Sequence, residues 1–165
     1  MYTIDEIDVD GPVDACFRAA ADVESWPAIL PHYRWVRFQE KQAFGTGRVE
    51  MAARRDFGPA PYPVWWVSEM SVDEARPAVI YRHVDGITTG MDVEWTFQPL
   101  DDAARTRIRI VHAWETGPRW PLPSPLRRAI AGAIIGPVFI HHVASRTLRG
   151  VKRHVERTTE REKVA

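Results

Sequence analysis

The sequence contains one cysteine, Cys16, in 165 residues. A single thiol excludes an internal disulfide and is typical of a reducing compartment, so we expect a cytoplasmic location. The histidines and the cysteine follow no metal-ligand spacing such as HExxH, and the chain has no phosphate loop, dinucleotide motif or GxSxG nucleophile. We therefore predict neither a metal site nor a cofactor, and expect Cys16 to be a small core side chain.

An excess of either charge is also missing, because 22 basic residues balance 22 acidic ones. A neutral chain has little attraction for nucleic acid, so no nucleic-acid partner is predicted.

Long apolar runs are missing as well. The longest, residues 129–140, is interrupted by glycine and proline and falls short of the roughly 20 residues that span a bilayer. The acidic N-terminus does not resemble a signal peptide.

What the sequence does contain is a continuous succession of predicted strands and helices without internal repeats. Its length of 165 residues favours a single domain. We place that domain at residues 1–157 and a charged C-terminal tail at 158–165. Residues 2–9 alternate as a strand whose phase shifts once, which suggests a bulge. Two short helices follow, the first beginning near Pro12 and the second containing Trp26.

Residues 33–115 alternate mostly with period two, which predicts six more strands. Turns rich in glycine, proline and aspartate separate several of them. The predicted strands are 33–41, 47–57, 63–73, 77–85, 90–98 and 105–115.

The last two strands predict a hairpin and its register. With Gln98 opposite Arg105, the charges of Glu94 and Arg109 lie side by side on the outer face, and a slip by one residue would put arginines inside. The residues predicted to face inward are Trp95, Ile108, Ile110, His112 and Trp114.

After a proline-rich stretch at 117–125 the apolar period becomes 3.6. This predicts a long helix from about 125 to 157 with a bend near Pro137. Its predicted stripe comprises Ile130, Ile134, Val138, His141, Ser145, Leu148, Lys152 and Val155.

Four segments carry a resemblance to a known family: IDVDGPV at 7–13, DVESWP at 22–27, GMDVEWTF at 90–97 and TLRGVKR at 147–153. Together with the order of elements, they resemble the START/polyketide cyclase-dehydrase (SRPBCC) superfamily over nearly the whole chain. The resemblance implies an α+β helix-grip fold, in which a curved seven-stranded antiparallel sheet wraps around a long C-terminal helix, with two short helices after strand 1. It also implies a cavity between sheet and helix that binds a hydrophobic or aromatic small molecule.

Bulky aromatic residues suit the wall of such a cavity. We predict that Trp66, Trp95 and Trp114 line it and stack on a flat ligand. The same three side chains would equally fill an ordinary core, because aromatic residues dominate cores in general.

Polar residues on inward faces are predicted to contact the ligand. His112 lies between two apolar residues of its face, and an imidazole there requires a partner, either a ligand carbonyl or phenol or, for a core histidine, a backbone carbonyl or water. His141 is the histidine of the long helix that falls on the apolar stripe. Arg82 alternates with His83 in a strand whose phase the sequence leaves open; an inward Arg82 suits a carboxylate or enolate oxygen.

Three functions remain open. A polyketide cyclase or dehydratase would use His112 and His141 as base and acid. A non-catalytic lipid or quinone carrier, resembling coenzyme Q-binding proteins, requires only the cavity and an entrance. Residues 117–123 are candidates for that entrance, with Trp120 making transient membrane contact. A protein-interaction module would instead have a filled core. The sequence does not decide among these functions or set the oligomeric state.

Overall fold

Seven strands form one antiparallel sheet in the order β1-β7-β6-β5-β4-β3-β2. The computed structural model describes residues 1–57, 60–100, 104–118, 123, 125, 126, 129 and 140–164. The strands are β1 (Tyr2–Val9), β2 (Tyr33–Ala43), β3 (Thr46–Phe57), β4 (Ala60–Asp73), β5 (Ala78–Gly86), β6 (Asp92–Pro99) and β7 (Thr106–Ala113). The helices are α1 (Val13–Ala21), α2 (Trp26–Ile29) and α3 (His141–Val164), with a 3-10 turn at Val23–Ser25 before α2.

This is the predicted helix-grip architecture, and α3 packs against β1 and the two short helices. The strand boundaries agree with the predicted ones to within three residues. Period-two alternation is a strong signal here because one face of each strand is buried against the helices and the other meets solvent. The bend predicted at Pro137 and the predicted stripe residues Ile130, Ile134 and Val138 lie outside the described residues. At its other end α3 continues to Val164, past the predicted end at 157.

The predicted faces of the β6–β7 hairpin are confirmed, but the predicted register is wrong by two residues. Gln98 pairs with Arg107 rather than Arg105. The hydrogen-bonded pairing of the two strands extends further toward the turn than predicted, and beyond it the backbone N–H of Leu100 donates to the carbonyl of Arg105. A shift of two keeps every side chain on its face. It does separate the expected charge pair: Arg109 lies opposite Thr96.

Strand β1 contains no bulge. Its pairing with β7 is regular from Tyr2 to Val9, so the shift in apolar phase has another cause. Tyr2 and Ile4 point to solvent, while Asp5 is buried on the inner face. The strand therefore keeps one phase throughout, and an acidic residue, Asp5, takes one of its inward positions.

The buried stripe of α3 is rotated relative to the predicted one. Leu148 and Val155 are buried as expected, whereas His141, Ser145 and Lys152 lie on the flank that faces β1. Successive residues of a helix are rotated by about 100°. Polar residues at the edge of the buried face therefore have nearly the same spacing as the buried residues, and spacing alone does not separate the two sets. The buried positions of α3 and the residue before it are Ile140, Ala144, Thr147, Leu148, Gly150, Val151 and Val155. Within the described part of the chain, no helix is both long and apolar enough to cross a membrane.

Gly150 permits α3 and the end of α2 to approach closely. A Cβ atom at this position would lie 2.1 Å from Cδ2 of Leu30, which is fully buried. In an exposed helix Gly→Ala stabilises by about 1 kcal/mol. Here we expect the opposite sign, because overpacking a filled core costs about 1–3 kcal/mol.

The measurement is urea denaturation of Gly150→Ala, which should show a lower free energy of unfolding than the unmodified protein. Arg149→Ala is the matched control, since Arg149 is the exposed neighbour on the same helix. Equal or greater stability of Gly150→Ala would mean that the helices do not pack this tightly.

Candidate functional site

A cavity of about 70 Å³ lies between the inner face of the sheet and the beginning of α3. One water molecule requires roughly 10–15 Å³ on the same measure, so the space exceeds a single water several-fold. Its aromatic walls are Trp26, Tyr33, Trp66, Tyr81 and Trp95. Further apolar lining comes from Met51, Ile87, Met91, Val93, Ile110, Ile140, Val143 and Ala144, and polar lining from His83, Thr88, His112 and Thr147.

Strand alternation explains why these residues meet. Tyr81 and His83 are two apart on β5 and therefore share its inner face. Tyr81 lies opposite Val93 of β6, and Val93 lies opposite His112 of β7. Neighbouring strands are about 4.8 Å apart, so Tyr81 and His112 are separated by roughly 10 Å along one row of the sheet.

His83 occupies the inward position that the sequence left open between His83 and Arg82. Its Nδ1 lies 2.6 Å from the Thr88 hydroxyl, and its ring stacks on Trp66 at 6.0 Å with an interplanar angle of 5°. The predicted contact of Arg82 with a ligand is thus corrected. The Arg82 side chain is 65% exposed and pairs with Asp92 at 2.8 Å on the outer face.

His112 is buried on the cavity wall, on the predicted face. Its Nδ1 lies 3.4 Å from the hydroxyl of Thr3 on β1. This partly buried contact is with a side-chain hydroxyl, which is neither the ligand oxygen nor the backbone carbonyl or water that the sequence suggested.

Tyr81 is one of the cavity-lining residues that the sequence analysis missed. Its side chain is 5% exposed, and its hydroxyl is buried without a hydrogen-bond partner among the described residues. Burial, with a smaller contribution from nearby Tyr33, raises the pKa of Tyr81 well above its usual range. The phenol therefore stays protonated at neutral pH. The sequence contains one signal for Tyr81: if Val79 and His83 of β5 face inward, period-two alternation places Tyr81 inward with them.

The predicted tryptophans divide between cavity and core. Trp66 and Trp95 line the cavity. Trp114 does not: it is 1% exposed and donates its indole N–H to the carbonyl of Thr89 at 3.1 Å. Its expected role as a cavity wall is corrected to that of a packed side chain holding the β5–β6 turn.

His141 lies outside the cavity and at the start of α3. Its side chain is 61% exposed, and its Nδ1 contacts Oδ1 of Asp5, whose side chain is 1% exposed. Ser145, one turn further on, also donates to Oδ1 of Asp5, at 3.4 Å. Burial raises the pKa of Asp5, and the contacts with His141 and Ser145 partly offset this rise. His141 is thus a partner of β1 rather than of the cavity.

The exposed end of the cavity lies at the β5–β6 turn, where Ile87 is 39% exposed. In the expected entrance, 117–123, Gly117 and Pro118 are buried, and Trp120 lies outside the described residues. Over the described ranges, no three His, Cys, Asp or Glu side chains gather where they could hold a metal ion.

A family model described as "Polyketide cyclase / dehydrase and lipid transport" matches residues 9–138. Among curated proteins, none matches the sequence significantly. Three solved structures agree with this chain in fold over nearly its full length.

One similar structure is the Zhui aromatase/cyclase from Streptomyces sp. R1128, with 22% identity, a TM-score of 0.70, and coverage of 96% of this chain and 95% of that one. A START superfamily protein from Mycobacterium smegmatis has 12% identity and a TM-score of 0.69 over 95% and 98% of the two chains. Major latex-like protein 151 from Panax ginseng has 12% identity and a TM-score of 0.73 over 94% and 97%. At these identities the likeness concerns the fold.

Proposed function

Because the chain belongs to the polyketide cyclase / dehydrase and lipid transport family, we propose that it binds a hydrophobic or aromatic small molecule in the cavity and acts as a cyclase that closes a linear poly-β-ketone into a flat ring. The observation that carries this proposal is the wall formed by β5 to β7. There two imidazoles, His83 and His112, line the same aromatic cavity.

The binding part of the proposal rests on the lining. Trp66 and Trp95 present large ring surfaces, and an unsaturated ligand stacked on them gains both burial and ring contact. A few polar groups in such a setting orient a ligand without dominating its affinity. The exposed Ile87 at the β5–β6 turn gives an apolar molecule a first contact as it enters.

The catalytic part follows from what ring closure requires. A base removes a proton from a CH₂ group between two carbonyls, and the resulting carbanion forms a C–C bond to a distant carbonyl carbon. The new alkoxide takes up a proton, and its hydroxyl then leaves as water together with a neighbouring proton. Imidazoles have pKa values suited to both transfers near pH 7, so His83 and His112 are assigned as the base and acid pair.

A carrier function is the second candidate, and the apolar majority of the lining favours it. A carrier of a lipid or quinone needs the same cavity and no proton transfer. The two functions therefore share the binding step and differ only in turnover.

The test combines tryptophan fluorescence with product analysis. We expect aromatic ketones to change the fluorescence on binding, since Trp26, Trp66 and Trp95 line the cavity. With a linear poly-β-ketone thioester, mass spectrometry should detect a cyclised product that has lost water. Arg82→Ala serves as the control, because Arg82 lies on the outer face, and should bind and react as the unmodified protein does.

Binding without any product, at rates above those of the protein-free solution, would favour the carrier and refute the enzyme. Absence of binding by every aromatic ligand would refute both.

A further inference from the structure

Tyr81 lines the cavity, and its hydroxyl lacks a hydrogen-bond partner among the described residues. The residue is held on β5 between Met70 of β4 and Val93 of β6. The phenol oxygen is buried and has no partner among the residues that the structure describes. Leaving such a group unpaired costs about 1–3 kcal/mol, and native proteins satisfy nearly all buried polar groups. We therefore infer that a molecule bound in the cavity provides the hydrogen-bond partner of this hydroxyl.

The chemistry of the partner follows from the surroundings. Burial favours the neutral phenol, so Tyr81 offers an O–H donor and calls for an acceptor. Among the described residues that line the cavity there is no lysine or arginine. A carboxylate placed beside Tyr81 would lose its hydration, and among the described lining residues only a protonated imidazole of His83 or His112 could pair with it, not a permanently charged guanidinium or ammonium group. A hydrocarbon would leave the hydroxyl unpaired.

We propose that Tyr81 is a specificity-determining residue that selects ligands with a neutral carbonyl oxygen, such as ketones and quinones, over matching carboxylates and hydrocarbons. The inference rests on the proposed function in one respect, namely that the cavity binds a small molecule. It does not depend on whether a reaction follows.

Ser68 provides a matched control within the same sheet. Its hydroxyl is also buried without a partner among the described residues, and Ser68 lies on β4 opposite His83. Unlike Tyr81, Ser68 is not part of the cavity lining. If an unpaired hydroxyl affected binding only through stability, both residues would behave alike; if it meets the ligand, only Tyr81 matters.

The experiment measures the affinities of three two-ring probes by tryptophan fluorescence: the ketone 1-tetralone, the hydrocarbon tetralin and the acid tetralin-1-carboxylate. In Tyr81→Phe the affinity for 1-tetralone should fall roughly tenfold, as expected for one lost hydrogen bond, and that for tetralin should not fall. Ser68→Ala should bind both as the unmodified protein does. The infrared carbonyl band of bound 1-tetralone should lie at lower frequency with Tyr81 present than in Tyr81→Phe.

The outcomes separate the two proposals. If neither 1-tetralone nor tetralin binds the unmodified protein, the proposed cavity function fails and this inference fails with it. If both bind, but Tyr81→Phe leaves the ketone affinity and the carbonyl band unchanged, only the assignment of Tyr81 is overturned. Equal affinity for the carboxylate and the ketone would likewise overturn the selectivity. Thermal unfolding of each variant verifies that it is folded.

Discussion

Trp95→Ala is expected to lower the free energy of unfolding by about 3–5 kcal/mol. The indole is 3% exposed and lies between the fully buried cross-strand neighbours Val79 and Ile110. It also packs against Trp26, with ring centroids 5.7 Å apart. Removing it deletes a large buried surface at the point where the sheet, the short helix α2 and the cavity meet, and the closely packed surroundings can close the space only in part.

Urea denaturation followed by circular dichroism measures this loss. Tyr2→Ala is the control, because Tyr2 is an aromatic residue on the outer face of β1 and is mostly exposed; we expect a change within about 0.5 kcal/mol. The variant also enlarges the cavity, so it should bind a three-ring aromatic ketone better, relative to 1-tetralone, than the unmodified protein does. A stability loss below 1 kcal/mol would contradict the packing described for Trp95.

His141→Ala is expected to destabilise the fold by about 1–3 kcal/mol near pH 7, and by less in acid. The variant leaves the Asp5 carboxylate buried with Ser145 as its remaining donor among the described residues. The contact with His141 lowers the pKa of Asp5, so its removal moves that pKa further above the ordinary value of 3.8. The exposure of His141 to solvent limits the size of the effect.

The direction with pH follows from proton linkage. In the window between 3.8 and the raised pKa, folded Asp5 binds more protons than unfolded Asp5, so this residue's contribution to stability falls as pH rises. The loss is complete above the folded pKa and absent well below 3.8. His141→Ala widens that window, so the stability difference between the variant and the unmodified protein should grow as pH rises from 3 through the range in which Asp5 ionises; the coulombic part of the contact acts only while the imidazole is protonated.

Stability curves from pH 3 to 8 test this, and the double variant Asp5→Asn with His141→Ala is the decisive control. Asparagine carries no charge, so the pH dependence introduced by His141→Ala should disappear in the double variant. Opposite shifts from other carboxylates, such as Asp8 with its pKa lowered by Arg107, cancel in the comparison. A difference that is independent of pH would mean that His141 does not act through Asp5.

Sequence periodicity by itself determined the secondary structure and the faces of most strands. Trp95, Ile108, Ile110 and His112 point inward because a strand with one buried face must alternate, and that rule needs no knowledge of neighbours. The change from period two to period 3.6 located the C-terminal helix in the same way. The cavity-lining roles of Trp66, Trp95 and His112 could be predicted to the extent that these residues lie on inward faces.

Tertiary structure decided what alternation cannot. A shift of two residues in the β6–β7 hairpin leaves every face unchanged, so only the turn fixed which residues pair. Both phases of β5 place a polar residue inward, so packing decided that His83 and Tyr81, rather than Arg82, line the cavity. Asp5 and His141 meet across 136 positions of sequence. No local pattern encodes such a contact, because the side chains of α3 that contact the buried Asp5 carboxyl reach it only once β1 and α3 are packed together.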